Sequence, residues 1–381
     1  MRRKSKYRTS RSSSNLMGVN SVLLHMSRLL MGAVFVFSGF VKAVDPLGTI
    51  YKIEDYLTAF GGFFSEILFI AYPAAFILIL VELLIGLNLV FQVRFRLTAW
   101  VGFVFMLAVT PLTLYIALKN PVSDCGCFGD AVKLSNWQTF YKNVVLFVLA
   151  LILVILNKKF QKVYLPHIEW VMMIVFAVSG LGFMIYSLIH LPVLDFRPYK
   201  IGVNISEAMQ IPQGAPADVY KYNFIYEKNG VRKNFSDPNH LPDSTWTFIS
   251  QETMLVSEGY RPPIHDFSIL TAEFEDKTNE ILSYEGTTYL IIMYDLAKSS
   301  EKGIEKIKIF VEEKQINEGV KVYALTASST HEIQDFKTKY GLNFPFYKTD
   351  PVTLKTMIRA NPGVMQLVNG TIKGKWNGRM L

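Results

Sequence analysis

Five long apolar runs, separated by short polar segments, occupy the first half of the chain. At a rise of about 1.5 Å per residue, such runs form helices that cross a hydrocarbon core of about 30 Å. The fourth run is short by this measure and needs its flanking aromatic residues to reach the interface. The pattern predicts a membrane all-α helical bundle of about five transmembrane helices. The runs are residues 21–44, 67–91, 97–118, 140–156 and 170–191.

The second half of the chain has the shorter, mixed periodicities of a soluble protein. Strand-like runs flank Asn229-Gly230 and Asn369-Gly370, which are typical of tight hairpins. Between these hairpins, buried-strand patterns alternate with charged amphipathic helices, so a soluble α/β domain with a helix-covered sheet is predicted. The predicted strands are 220–226, 231–235, 245–250, 289–294, 320–325, 365–368 and 371–376, and the predicted helices are 301–313 and 330–340.

These patterns divide the chain into four parts. They are a basic tail (residues 1–18), a transmembrane domain (19–191), a linker with a small β-rich region (192–260) and an α/β domain (261–381). No catalytic set is evident in residues 200–260, where Asp237 and His240 fit a surface loop. His265 and His331, farther along the chain, are also expected to be structural or exposed.

Composition and charge decide the orientation. Hydrophobic residues make up 51% of the chain and charged residues 18%, and the net charge is +8. Much of the positive charge lies in the tail and in the loops at 93–96 and 157–162, which fall on one side if there are five crossings. The interpretation is a bacterial inner-membrane protein with a cytoplasmic N-terminus and a periplasmic C-terminal domain. No basic face interleaved with aromatic residues indicates nucleic-acid binding.

Two ionisable residues lie inside predicted membrane helices. Arg28 and Glu82 sit at similar depths, and because an unpaired charge there costs about 2.5–3.5 kcal/mol, a structural ion pair between them is expected. A proton or quinone role is the alternative. Gly32 and Gly86 follow these residues by four positions and predict close helix approach.

The ends of the helices carry recognisable signals. Lys42 is expected to extend toward the interface, and Asp45 to cap the following loop. Ser135 and Gln138 form a Ser-x-x-Gln capping box, which predicts a helix N-terminus immediately after the loop at residues 124–130.

That loop holds the only two cysteines of the 381 residues, Cys125 and Cys127, in the string Asp-Cys-Gly-Cys-Phe-Gly-Asp. A disulfide across one residue is strained and stabilises little, which favours a redox-active pair. A structural or inert pair is the second interpretation. A metal site is the third, but it would need Asp124, Asp130 or His190, and no spacing completes a ligand set, so none is predicted. Cys127, nearer the helix N-terminus, is slightly favoured as the attacking thiol.

The pattern Arg28-x3-Gly32, Ser38-Gly39-x2-Lys42, Glu82-x3-Gly86 and Cys125-Gly-Cys-Phe-Gly129 resembles the DoxX/MauE family of integral membrane proteins. The Cys-Gly-Cys-Phe-Gly string looks most like the MauE branch, and the resemblance covers roughly residues 20–157. It implies a four-helix core, to which a fifth helix is added here. It also implies a role in handling disulfides during maturation of an extracytoplasmic protein.

Residues 261–381 resemble a thioredoxin-like domain of the TlpA type. Residues 263–269 resemble the family's Pro-Asp-Phe lead-in, and Asn361-Pro362 occupies the place of its cis-proline loop, which predicts a cis bond there. The segment 295–301 departs from the family because it has no Cys-x-x-Cys. Lys298 and Glu301 at that place fit a solvated helix start. The domain is therefore expected to dock partners without exchanging disulfides.

The sequence thus predicts a membrane thiol–disulfide component, a candidate thiol–disulfide oxidoreductase, acting through Cys125 and Cys127 on an extracytoplasmic thiol or disulfide protein. No bound cofactor is predicted, and a membrane quinone is the candidate electron carrier. The alternatives are a non-enzymatic scaffold or maturation factor with an inert disulfide, and a metal-handling membrane protein.

Overall fold

The computed structural model describes residues 8–122, 124–159, 163–237, 242–257, 259–316 and 318–381. The start of the predicted basic tail, the end of the predicted basic loop at 157–162, and His240 lie outside these residues. The chain divides into two compact units between Arg197 and Pro198.

The described part of the first unit is helical, and five of its helices are long and apolar enough to cross a membrane. These spans are Asn20–Val44, Leu68–Phe91, Phe95–Lys119, Asn136–Leu156 and Pro166–Ile189. The five predicted crossings are confirmed. The helices are α1 (Arg8–Val44), α2 (Pro46–Phe60), α3 (Phe63–Glu66), α4 (Ala71–Phe91), α5 (Phe95–Lys119), α6 (Asn136–Leu156) and α7 (Pro166–Ile189).

Side-chain caps set two of these boundaries. The Ser135 side chain accepts a hydrogen bond from the Gln138 amide, and the Gln138 side chain accepts one from the Ser135 amide, so the predicted capping box is confirmed. Helix α6 therefore begins four residues before the apolar run does, which removes the apparent shortness of the fourth crossing. Asp45 caps α2, a helix the sequence did not predict, by accepting from the Gly48 amide at 3.0 Å.

Glycines let α1 and α4 pack closely as antiparallel neighbours. A Cβ atom on Gly86 would lie 2.5 Å from the backbone nitrogen of Val36, and one on Gly39 would lie 2.9 Å from that of Leu83. A Cβ on Gly32 would lie 2.9 Å from the side chain of Val90. These contacts confirm the predicted close approach at Gly32 and Gly86, and they fix the register between the two helices.

Replacing Gly86 with alanine should therefore force α1 and α4 apart. We expect a loss of about 1–3 kcal/mol of stability, the usual cost of overpacking, because the added methyl meets backbone atoms that cannot move independently. Gly182→Ala in α7 is the matched control, since a Cβ there has no neighbour within 4 Å. Thermal unfolding of the purified full-length protein in detergent measures the difference, and equal effects of the two variants would contradict the packing described here.

The second unit contains two sheets. A three-stranded antiparallel sheet has the order β2-β1-β3, and a five-stranded sheet has the order β6-β5-β4-β7-β8. In the larger sheet β4, β5 and β6 run parallel, and β7 and β8 are antiparallel to their neighbours. The elements are α8 (Ile205–Ala208), β1 (Val219–Lys228), β2 (Val231–Phe235), β3 (Thr247–Ser257), α9 (Thr278–Leu282), β4 (Thr287–Ile292), α10 (Glu301–Gln315), β5 (Val320–Thr326), α11 (Thr330–Tyr340), β6 (Phe346–Lys348), α12 (Pro351–Met357), β7 (Gly363–Val368) and β8 (Thr371–Asn377).

The predicted soluble α/β domain is thus present. Both hairpins form, with Asn229 and Gly230 at φ 52° and 77° and Asn369 and Gly370 at φ 47° and 70°. Positive φ at both central residues is what a two-residue hairpin turn requires. The short elements α9, β6 and α12 were not predicted, because segments of three to seven residues carry too little periodicity.

Candidate functional site

The loop that carries the two cysteines connects α5 to α6 and is held from several sides. Asp124 accepts a hydrogen bond from the Gly126 amide at 2.9 Å and one from Lys52 Nζ, on α2, at 3.2 Å. The Phe128 ring packs against Phe37 of α1, with ring centroids 5.3 Å apart. On the other side, Lys142 Nζ of α6 lies 4.5 Å from the centroid of the Phe128 ring. The loop is therefore tied to three helices.

The two cysteines are both thiols, and their side chains are hydrogen-bonded to each other. The pKa of Cys127 is lowered to about 6, mainly by the hydrogen bond from Cys125 and also by the positive charges of Lys142 and Lys42, against the opposing effect of burial. The same hydrogen bond, together with burial, raises the pKa of Cys125. The pair is thus asymmetric: at neutral pH Cys127 carries the thiolate and Cys125 keeps its proton.

Tyr56 of α2 lies beside Cys125 and is part of the same hydrogen-bonded group. Its phenol is hydrogen-bonded to the Cys125 side chain, and burial and the neighbouring thiols raise the pKa of Tyr56. Tyr56 therefore stays neutral and can serve as a hydrogen-bond donor to Cys125 when that sulfur is deprotonated.

A buried ion pair lies directly beneath the loop. Lys42 Nζ of α1 is 2.8 and 2.7 Å from the two carboxylate oxygens of Glu82 in α4, and both residues are less than a tenth exposed. Lys42 also donates to Ser38 Oγ at 2.9 Å. The Ser38 hydroxyl is 2.9 Å from Glu82 Oε2 and 2.7 Å from the carbonyl oxygen of Cys127. Ser38 thereby links the ion pair to the backbone of Cys127.

This arrangement corrects two predictions. Glu82 pairs with Lys42 and not with Arg28, and Lys42 is buried in the bundle and does not extend to the interface. Arg28 instead donates to the carbonyl oxygens of Leu89 and Val90, each at 3.0 Å, near the C-terminal end of α4. The reason is the antiparallel register of α1 and α4, which places Ser38 and Lys42 next to Glu82. Arg28 is ten residues from Ser38 in the sequence and therefore lies about 15 Å away along α1.

A small recess, with a cavity volume of about 40 Å³, lies beside Cys127 inside the helical bundle. Helices α1, α4, α5 and α6 contribute to its wall, together with the loop. Its polar lining consists of Ser38, Glu82, Cys127, Lys142 and Asn143, and apolar side chains line the remainder.

The second predicted site lies in the soluble unit. The Asn361–Pro362 bond is cis, the conformation predicted from the sequence. Asn361 Nδ2 donates to the carbonyl oxygen of Asp295 at 2.7 Å, and Ser299 Oγ lies 3.2 Å from Asn361 Oδ1. The proline loop therefore lies against the turn between β4 and α10, a turn that holds no cysteine.

The remaining candidates have ordinary surface environments. The side chains of His265 and His331 are 44% and 87% exposed, and each lies 3.1 Å from a neighbouring aspartate. Lys298 and Glu301 are exposed at the start of α10, as predicted. Among the residues that the structure describes, no three His, Cys, Asp or Glu side chains are grouped as metal ligands would be. A metal at the cysteines would rest on the two sulfurs alone.

The sequence analysis did not assign Ser38, Lys52, Tyr56 or Lys142 to the site. One signal could have located the first of these: Ser38 and Lys42 are four residues apart and so lie on one face of their helix. Tyr56 and Lys142 are brought in by packing, and no local pattern marks them.

The apolar spans and the thiol loop define a multi-pass membrane protein with a paired-cysteine loop between two of its helices. Comparison with known families agrees: the family described as methylamine utilisation protein MauE matches residues 20–156, which include four of the five spans and the cysteine loop. The first unit is thus MauE-like. A domain of unknown function, DUF8463, matches residues 220–258, which include β2, β3 and all of β1 except its first residue. No curated protein and no solved structure matches the chain.

Proposed function

We propose that the protein is a thiol–disulfide redox component of the bacterial inner membrane, acting through Cys125 and Cys127. The observation that carries the proposal is the asymmetry of the pair, in which one thiol donates a hydrogen bond to its neighbour and lowers that neighbour's pKa to about 6. A structural disulfide does not need two cysteines of different pKa. Thiol–disulfide exchange does, because it requires one thiolate that attacks and one thiol that resolves the mixed disulfide.

In the proposed exchange, the two cysteines have different roles. The Cys127 thiolate attacks a partner disulfide, a mixed disulfide forms, and one partner sulfur leaves as a thiolate. Cys125 then gives up its proton and attacks the Cys127 sulfur, which releases the second partner sulfur and leaves the pair oxidised. The two electrons pass to the partner, and the reverse sequence oxidises a partner dithiol.

The partner is an extracytoplasmic thiol or disulfide protein, and we propose that the C-terminal α/β domain docks it. The sheet order β6-β5-β4-β7-β8 and the packing of the Asn361-Pro362 loop against the β4–α10 turn support a thioredoxin-like fold for that domain. Because the chain has no cysteine outside the loop, the domain can bind a partner but cannot exchange disulfides with it. The positive charges of the N-terminal segment and of the loop at 93–96 support a cytoplasmic N-terminus and a periplasmic C-terminal domain.

Acid-quenched alkylation of Cys125 and Cys127 in living cells, read by mass shift before and after a reductant pulse, tests the proposal. We expect a partly reduced pair that reoxidises within minutes, labelling by a membrane-impermeant maleimide, and a mixed disulfide with a partner in Cys125→Ser cells. Cys127→Ser is the matched control and should trap far less partner.

Two other results would favour the alternatives. A pair that is fully oxidised and unresponsive to reductant would indicate a non-enzymatic scaffold or maturation factor. A pair that is fully reduced and protected from alkylation until a chelator is added would indicate a metal-handling protein.

A further inference from the structure

The recess beside Cys127 limits the size and the charge of a molecule that reaches the cysteine from inside the bundle. Its cavity volume is about 40 Å³. Because one water molecule needs roughly 10–15 Å³ of such space, the recess holds a molecule of about two or three non-hydrogen atoms and excludes a quinone ring. Apolar side chains make up more than half of the lining, so a neutral molecule enters at a lower free-energy cost than an ion.

Among the polar residues of the lining, Lys142 is the best placed to bind such a molecule. The hydroxyl of Ser38 is bonded to the carbonyl oxygen of Cys127, and the Asn143 amide donates to a threonine hydroxyl of α5 at 3.2 Å. Lys142 Nζ contacts the Phe128 ring, and because an ammonium group has three N–H donors, this contact leaves donors for a ligand. The charge of Lys142 also acts on the Cys127 sulfur, so the cation and the sulfur belong to one site.

A thiolate beside a cation, with a second thiol next to it, is suited to the reduction of a peroxide. The thiolate attacks one peroxide oxygen, and the cation stabilises the negative charge that develops on the other oxygen as the O–O bond breaks. The second thiol then converts the sulfenic acid into a disulfide. Hydrogen peroxide is neutral and has two oxygen atoms, so it satisfies both limits that the recess sets.

From this geometry we propose that the recess admits hydrogen peroxide and that the Cys125–Cys127 dithiol reduces it to water. Cys127 attacks the peroxide, Lys142 binds the departing oxygen, and Cys125 resolves the sulfenic acid. The inference rests on the proposed thiol–disulfide function, and it adds a small oxidant to the disulfide proteins with which the pair exchanges.

The reaction balances with the peroxide as the oxidant. An S–O bond forms at Cys127 and the O–O bond breaks, and the departing hydroxide takes up a proton and leaves as water. Cys125 then gives up its proton and attacks the Cys127 sulfur, so that an S–S bond forms, the S–O bond breaks and the second water leaves. Two electrons pass from the sulfurs to the peroxide, and a partner dithiol restores the reduced pair by exchange.

The first test compares rates per thiolate in the reduced full-length protein, reconstituted in phospholipid nanodiscs. We expect hydrogen peroxide to oxidise Cys127 about 100-fold faster than it oxidises the thiolate of dithiothreitol, which lacks a fixed cation. One disulfide should form for each peroxide consumed. In Cys125→Ser, dimedone should label Cys127 as the sulfenic acid, because no thiol resolves it.

A second test separates the contribution of Lys142 to peroxide binding from its effect on the ionisation of Cys127. At about pH 9, where Cys127 is largely ionised in either protein, Lys142→Met should slow the peroxide reaction at least about tenfold. Alkylation by iodoacetamide, which does not need the recess, should change less than about twofold at that pH. Equal slowing of the two reactions would overturn the role of Lys142 in binding the peroxide.

The size of the recess gives a third test. Val109 lines the recess, and Val109→Leu adds one methylene group that occupies much of the space, so the peroxide reaction should slow about tenfold. Val104→Leu is the matched control, because it makes the same change on the same helix at a position 58% exposed, and it should change the rate less than about twofold. In the wild type, cumene hydroperoxide should react at least about tenfold more slowly than hydrogen peroxide, a comparison that needs no variant.

The failure of this inference and the failure of the proposed function give different results. A pair that exchanges with a peptide disulfide, but reacts with hydrogen peroxide no faster than dithiothreitol does, overturns the peroxide site and leaves the exchange function standing. A pair that reacts with neither overturns both. Equal rates for the two leucine variants, or for the two peroxides, overturn the assignment of the recess as the peroxide site.

Discussion

Replacing Lys42 with methionine is expected to destabilise the membrane unit by about 3–5 kcal/mol, because Glu82 then remains buried without its cation. The two side chains, one from α1 and one from α4, meet at 2.7 Å and are both buried. For a unit of this size the loss corresponds to a fall in Tm of roughly 10 °C. Thermal unfolding of the purified full-length protein in detergent, followed by tryptophan fluorescence, measures it.

Two further variants isolate the cause. Lys52→Met removes a lysine from the pair with Asp124, whose side chains are 25% and 31% exposed, and should cost no more than about 1 kcal/mol. Adding Glu82→Met to Lys42→Met removes the unpaired charge and should recover much of the lost stability, since apolar residues can replace a buried pair. If Lys42→Met resembled Lys52→Met, or if the double variant were no more stable than the single one, the ion pair would not have the role assigned here.

The second large effect concerns the reactivity of Cys127. With a pKa of about 6, the sulfur is a thiolate at pH 7, whereas an unperturbed thiol near pKa 8.5 is only a few per cent ionised. The rate of iodoacetamide alkylation of the reduced protein should therefore be constant above neutral pH and fall about tenfold per unit as pH drops below 6. Peptide mass spectrometry separates modification of Cys127 from that of Cys125.

The hydrogen bond from Cys125 is the main cause of this lowered pKa. Substitutions of Cys125 that remove the donor and those that keep one should therefore differ in their effect on the alkylation rate of Cys127. Cys125→Ala removes the donor and should slow alkylation of Cys127 at pH 7 by about tenfold, through a higher pKa. Cys125→Ser keeps a hydroxyl donor and should retain most of the wild-type rate. A midpoint near pH 8.5 in the wild type, or equal rates in the two variants, would show that the pair lacks the asymmetry on which the exchange mechanism depends.

Short stretches of sequence predict much of the architecture. The five spans follow from apolar length, the start of α6 from Ser135 and Gln138, and the hairpins from Asn229-Gly230 and Asn369-Gly370. Each of these depends on neighbours along the chain, so local hydropathy and turn chemistry are sufficient to predict it. The two cysteines were likewise evident as a candidate site from their position in the chain.

The environment of the cysteines was decided by tertiary structure. The similar depths of Arg28 and Glu82 in their apolar runs predicted an ion pair between them, but Glu82 pairs with Lys42. The glycine contacts between α1 and α4 set the register of the two helices, and depth along each run does not reveal that register. That register also brings Ser38 to the carbonyl oxygen of Cys127. The sequence by itself therefore determined the helices, the loop and the pair of thiols. Only the packing of helices distant in sequence determined which charges and further donors surround the thiols, because Lys42, Tyr56 and Lys142 come from three different helices.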